Sequence, residues 1–191
     1  GALIKMIENL TLQHDLNSAE HYFKELDQIA HAETNLRIQI NHKFAQALLL
    51  KSKGGPRNLI RAGDILRDLL TIEELKTDPF IRLKYCELLF EEIAKTNEKA
   101  IIEEIEVFLG DLEKIATVTQ SLTLRAEIKL IQAQFDLITL SFENAQKNFM
   151  AGQQIARKYD LTRLERKISH EYDQFLLYYD QWYEMKSNHA P

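Results

Sequence analysis

Cysteine, proline and glycine are all scarce in this 191-residue chain: one Cys, three Pro and six Gly. A single cysteine excludes an internal disulfide, and a reducing, cytoplasmic interior is the simpler expectation. So few glycines and prolines leave little turn chemistry, and alternating β-branched runs are rare as well. With Leu, Ile, Ala, Glu, Lys and Gln dominant, the composition predicts an all-α protein. No apolar run nears the roughly 18 residues that would suggest a membrane span, and no signal-peptide pattern opens the chain. A membrane partner is therefore not expected. The net charge of −5 gives no global electrostatic case for nucleic acid.

Motifs that carry chemistry are missing too. The chain has no P-loop, no glycine-rich dinucleotide fingerprint and no nucleophile elbow. None of its histidines, His14, His21, His31, His42, His170 and His189, lies in a zinc-protease HExxH pattern or follows a glutamate by three residues. The run His170-Glu171-Tyr172-Asp173 is locally dense, but on a helix those neighbours point in different directions and cannot converge on one ion. Cys86, beside Tyr85, Leu88 and Leu89, has no base or cationic setting and reads as core. The expectation is a chain with no catalytic residues, no metal and no cofactor, hence not an enzyme.

What the chain does contain is a repeated helical pattern. Residues 121–160 read as two antiparallel amphipathic helices joined by a tight turn near Ser141 and Phe142. In the second helix Ala145, Phe149 and Gly152 share one face, followed by Ile155-Ala156, and the small residues permit close approach. The pattern returns as Ala19, Phe23, Leu26, Ile29-Ala30, as Ala62, Leu66, Leu69, Ile72-Glu73, and as Ile105, Leu109, Leu112, Ile115-Ala116. The copies lie 43, 43 and 40 residues apart, a spacing typical of stacked repeats. Caps and breakers predict a first helix carrying Leu3, Ile4, Ile7 and Leu10, then helices over 18–32, 34–52, 57–72 and 79–95. A sixth ends near 119, the hairpin supplies two more, and a last helix spans 161–186. Asp15 or Asn17, Asp78 and Ser121 are the candidate caps, and Gly54-Gly55-Pro56 is the clearest breaker.

On the small–large pairs Ala19/Phe23, Ala62/Leu66 and Ala145/Phe149, and on small Ala47 and Ala133 in the first helices, the chain resembles tetratricopeptide-repeat proteins of the extended-repeat archaeal kind. The run Lys167-Ile168-Ser169-His170-Glu171-Tyr172-Asp173 resembles the closing helix of that group. Phe90 stands where Ala47 and Ala133 are small, and the period exceeds the usual ~34 residues. The resemblance implies a right-handed α-solenoid of antiparallel helix pairs, about nine helices in one domain. Its repeats would be roughly 1–32, 33–76, 77–119 and 120–160, with 161–186 closing the stack. It also implies a concave groove lined by first helices, taking a peptide or helix of a partner protein. The matching groove positions are Asn41, Phe44 and Leu48; Lys84, Glu87 and Glu91; Glu127, Leu130 and Gln134; and Lys167, His170 and Gln174. Phe44, Leu48 and Leu130 would supply its apolar contacts.

Charge is uneven. Residues 91–113 are acidic, while Lys51, Lys53, Arg57, Arg61 and Arg67 form one basic stretch and Arg157, Lys158, Arg163, Arg166 and Lys167 another. These stretches read either as solvated faces that attract neighbouring repeats or as steering patches for a charged partner. Asp64 and Asp68 interrupt the first, and no aromatics are interleaved for base stacking. The stripe Tyr172, Phe175, Leu176, Tyr179, Trp182, Tyr183 reads as a seal on the end of the stack, with a homodimer surface as its alternative role. The reading is a protein–protein interaction scaffold, and Gly1-Ala2 without an initiating Met suggests a fragment of a larger protein. A regulatory domain that senses a small ligand and controls an attached effector is the alternative, and a helical-bundle enzyme or metal carrier the third.

Overall fold

The computed structural model describes residues 2–96 and 98–188, with side chains described for all of these except 94–96 and 180–188. Among them nine α-helices follow one another: α1 Ala2–Leu12, α2 Leu16–Ala32, α3 Leu36–Lys53, α4 Pro56–Leu69, α5 Pro79–Thr96, α6 Lys99–Thr119, α7 Leu122–Ile138, α8 Phe142–Lys158 and α9 Thr162–Asn188. A single 3-10 turn, Glu73–Leu75, links α4 to α5. The described residues hold no strand, so the all-α expectation is met. No described helix is long and apolar enough to cross a membrane.

The helix starts obey local chemistry. Asp15 accepts from Ser18 N, Asn35 from Arg37 N, and Ser121 from Leu124 N, each satisfying an orphan donor of the first turn. Asp78 accepts from the amides of both Phe80 and Ile81, ahead of Pro79 at the first helical position. Of the two cap candidates for α2, Asp15 is the one used. Helix α4 stops at Leu69, short of the expected Ile72. Thr71 N bonds Asp68 O and Ile72 N bonds Leu69 O, so three-residue bonds tighten the last turn and end the α-helix there.

Three helix ends share a device that glycine usually supplies. Asp15 N bonds Leu10 O, Ser141 N bonds Asp136 O, and Leu161 N bonds Ala156 O, each across a residue in the left-handed region. Those residues are His14, Leu140 and Asp160, with φ of 59°, 59° and 53°. Leu140 is 72% exposed, so its side chain gains little packing for the strain. Leu140→Gly is therefore expected to stabilise the protein by about 0.5–1 kcal/mol, or roughly 2 °C in Tm, by thermal unfolding.

The chain divides into two compact units, residues 1–108 and 109–191, the division falling within α6. In the first unit Ile7, Ala19, Leu26, Ala45 and Leu49 form one cluster of α1, α2 and α3, and α4 and α5 add Ala62, Leu66, Leu69, Tyr85, Cys86 and Leu89 to the buried set. In the second unit Leu130 and Ala133 of α7, Ala145, Phe149 and Ala156 of α8, and Ile168 and Phe175 of α9 form the core. Asp136 is bonded by Asn148, whereas Lys129 and Ala126 lie against Gly152, so α8 runs back along α7.

The recurring seam is internal in every copy. The residues at its first and third places, Ala19 and Leu26, Ala62 and Leu69, Ile105 and Leu112, Ala145 and Gly152, are all buried. At the second place Leu66, Leu109 and Phe149 are buried and Phe23 is half-buried. Gly152 shows what the small residue does: a Cβ there would meet Ile168 Cδ1 at 3.2 Å and Lys129 Cβ at 3.3 Å. Two helices press on that one position. The pattern breaks where α4 ends early, leaving Ile72-Glu73 outside the helix, and it weakens in α2, where Ile29 is exposed.

Candidate functional site

In the first unit, α3 and α5 carry the expected groove positions, and the structure divides them. Phe44 and Leu48 are 4% and 6% exposed, so they belong to the core and offer a partner no surface. Phe44 packs on Phe80 at 5.4 Å between ring centroids, and Lys84 Nζ lies 5.7 Å from the Phe80 centroid. Glu87 accepts from Lys51 Nζ at 2.6 Å and from Lys84 Nζ at 3.3 Å, all three side chains half-buried. Lys84 and Glu87 are therefore brought together with Lys51, a member of the first basic stretch. Asn41 and Glu91 remain half-exposed on the same helices.

The second unit repeats the division. Leu130 is 2% exposed and packs in the core beside Ala133, which corrects the expectation that it contacts a partner. The physical reason is common to Phe44, Leu48 and Leu130. A small residue such as Ala47 or Ala133 lets the adjacent helix approach so closely that it covers the flanking positions too. Gln134 donates to the Glu171 carboxylate, which takes Glu171 away from His170 as the helical directions require. Glu127 is half-buried, while Lys167, His170 and Gln174 are exposed on α9.

The first basic stretch is largely answered from within the protein. Lys53 pairs with Glu20 at 2.7 Å, Lys51 with Glu87, and Arg67 with Tyr85. The Lys53 ammonium, hydrogen-bonded to Glu20, holds that carboxyl below its ordinary range. Arg67 belongs to a network that sequence reasoning missed. Tyr85, 1% exposed, donates its hydroxyl to Glu104 Oε1 at 2.8 Å and accepts from Arg67 Nε and Nη2 at 3.0 and 2.8 Å. Burial, reinforced by Glu104, pushes the phenol's pKa above its ordinary value. A tyrosine among core leucines that needs a hydroxyl partner was the one available signal.

Cys86 is fully buried next to it, and burial together with the Glu87 charge pushes its thiol up to about 12. A native thiol so placed is expected to react with a disulfide reagent at pH 8 only as fast as the protein opens, with full reaction in denaturant. A fast native reaction would contradict this burial. Among the described residues no group of three or more His, Cys, Asp and Glu is placed to hold a metal ion. His42 instead stacks on Phe23 at 5.0 Å and meets Asp27 Oδ1 at 2.8 Å.

On α9, Tyr172, Phe175, Leu176 and Tyr179 turn inward against Phe142 and Phe149. Phe149 and Phe175 lie 6.0 Å apart and Phe142 and Tyr179 5.6 Å apart. The described part of the stripe thus packs on α8, while Trp182 and Tyr183 lie outside the described side chains. Along α8 itself runs a surface depression of about 770 Å³, lined by Lys147, Met150, Ala151, Gln153, Gln154, Arg157 and Lys158. Arg157 Nε donates to Glu165 at 2.7 Å, tying this part of the second basic stretch to α9. No family model, curated protein or solved structure matches this chain, so its function is read from these faces alone.

Proposed function

We propose that the chain is a protein–protein interaction scaffold, a tetratricopeptide-like right-handed solenoid of antiparallel helix pairs. The observation that carries this reading is the seam. Four helices spaced 43, 43 and 40 residues apart bury the same first and third places and, in three of the four, the second as well, with small residues recurring at close approaches. Each unit of such a repeat needs a neighbour to cover its apolar face, and the residues between the seams are left for recognition. Burial of Phe44, Leu48 and Leu130 makes the partner contact polar rather than apolar. Asn41, Lys84, Glu87 and Glu91 in the first unit, and Glu127, Gln134, Lys167, His170 and Gln174 in the second, are the groups a peptide or helix would meet.

The test starts with affinity capture on the full chain, followed by titration of the captured protein against variants. Glu87 is a poor target, because its removal strands Lys51 and Lys84. Glu91→Lys in the first unit and Lys167→Glu/His170→Glu in the second alter the face without opening the core. At least a tenfold loss of affinity in one of them, with unchanged circular dichroism, supports the reading. Unchanged affinity in both overturns it.

A further inference from the structure

Helix α9 has two sides. Tyr172, Phe175 and Tyr179 turn inward against α8. On the outer side Arg163, Arg166 and Lys167 are exposed, followed by His170, Asp173 and Gln174. Leu177 and Tyr178 come next, 59% and 69% exposed. Steps of three and four residues carry this side on through Asp180 and Glu184, placed there by helical register alone. The other charges of the helix fall elsewhere. Glu165 accepts from Arg157 and Glu171 from Gln134, both carboxylates half-buried. Lys186, seven residues after Tyr179, shares the inward side by register. The outer side is therefore basic where α9 starts and acidic where it ends.

The chemistry of this side limits what can cover it. In α7, one repeat earlier, Leu130 and Ala133 hold the places of His170 and Asp173, and both are buried. An apolar helix laid on α9 in the same way would bury Asp173 without a partner. The occupant has to offer acid against the start of the face and base against its end. The same face, reversed, does so position by position. A two-fold axis between Asp173 and Gln174 sets Arg163 opposite Glu184 and Lys167 opposite Asp180 of a second copy. It also sets the Asp173 carboxylate opposite the Gln174 amide, and His170 opposite Leu177. From Arg163 to Glu184 the matched face spans about 31 Å of helix.

We propose that two copies of this chain pair through the outer sides of α9, antiparallel about that axis. The contact is isologous, so it closes at a dimer. Opposite charges at the two ends steer the encounter and fix the antiparallel register, and added salt weakens it. Leu177 and Tyr178, present twice, are the apolar surface the pairing covers. The proposal rests on the scaffold reading and names a second copy as the helix that Lys167, His170 and Gln174 meet.

Sedimentation velocity on the purified chain tests this over a concentration series in about 0.05 M and about 0.5 M salt. The expected result is a monomer–dimer equilibrium that weakens at least tenfold in the higher salt. Arg163→Glu/Lys167→Glu makes the face acidic throughout, and Asp180→Lys/Glu184→Lys makes it basic throughout. Each variant alone should associate at least tenfold more weakly than the wild type. An equal mixture of the two should dimerise again, because every ionic pair is then of opposite sign. The wild-type salt comparison does not depend on the variants folding. A chain that stays monomeric in low salt at about 100 µM overturns the proposal. So does a dimer that neither variant weakens, or a mixture of folded variants that stays monomeric. The scaffold reading is judged apart from this, by the affinity of a captured protein for Glu91→Lys in the first unit, and it survives a monomeric result.

Discussion

Replacing Phe149 by alanine is expected to destabilise the second unit by about 3–5 kcal/mol, the largest effect of any single truncation there. The ring is 1% exposed and sits at the middle place of the best-formed seam, between Ala145 and Gly152. Tyr172 lies 5.4 Å and Phe175 6.0 Å away between centroids, so truncation removes contacts with α9 as well as α7. Those neighbours cannot collapse into the space. Gly152 is already pressed by Ile168 and Lys129, and Leu130 and Ala133 are held in the same core. The neighbouring Met150→Ala provides the control, since Met150 is largely exposed and its truncation should shift stability by less than about 0.5 kcal/mol. Denaturant unfolding followed by circular dichroism measures both. A cost under about 1 kcal/mol for Phe149→Ala would mean that α8 is not packed as described.

The second large effect is expected at Tyr85, where two substitutions separate ring from hydroxyl. Tyr85→Ala should cost about 3–5 kcal/mol, through loss of a ring that packs edge-on against Phe108 at 5.1 Å. Tyr85→Phe keeps the ring and removes only the bridge between Arg67 and Glu104, for about 1–3 kcal/mol. The hydroxyl also predicts a pH dependence. Because folding raises the phenol's pKa, the folded state holds that proton more tightly than the unfolded chain does. The resulting stability is fully present below the unfolded value of about 10 and declines as pH rises through that value and beyond. Between about pH 8 and pH 10.5 the wild type should therefore lose more stability than Tyr85→Phe. Equal losses in the two proteins would place the phenol outside the buried network.

The helix boundaries show how far local rules reach. Asp15, Asn35, Asp78 and Ser121 cap their helices because a short acceptor side chain meets amides two or three residues on, and nothing distant takes part. The seam was legible for a similar reason. A helical period turns offsets of four and seven into one face, and an apolar face must be covered by something. The turns were less legible. His14, Leu140 and Asp160 occupy left-handed positions that Gly would mark; Leu140 carries no such signal, and His14 and Asp160 only the weaker preference of their residue types.

The candidate site divides along the same line. Spacing placed Phe44, Leu48 and Leu130 next to the small residues Ala47 and Ala133. It could not say whether the helix drawn in by the small residue would cover its neighbours. That depends on interhelical distance and direction, and the structure answers by burying all three. The ionic pairings lay further out of reach. Lys51 meets Glu87 across 36 residues, Arg67 meets Tyr85 across 18, and Tyr85 meets Glu104 across 19. In a sequence with 24 basic and 29 acidic side chains, no local rule selects one partner from so many.

By itself, then, the amino-acid order determined the helical class, the caps and the buried seam, because hydrogen bonding within four residues and a 3.6-residue period are properties of a short segment. Only the tertiary structure decided which flanking residues stay on the surface and which charges are answered from within. Burial and ion pairing depend on what another helix brings to within a few ångströms.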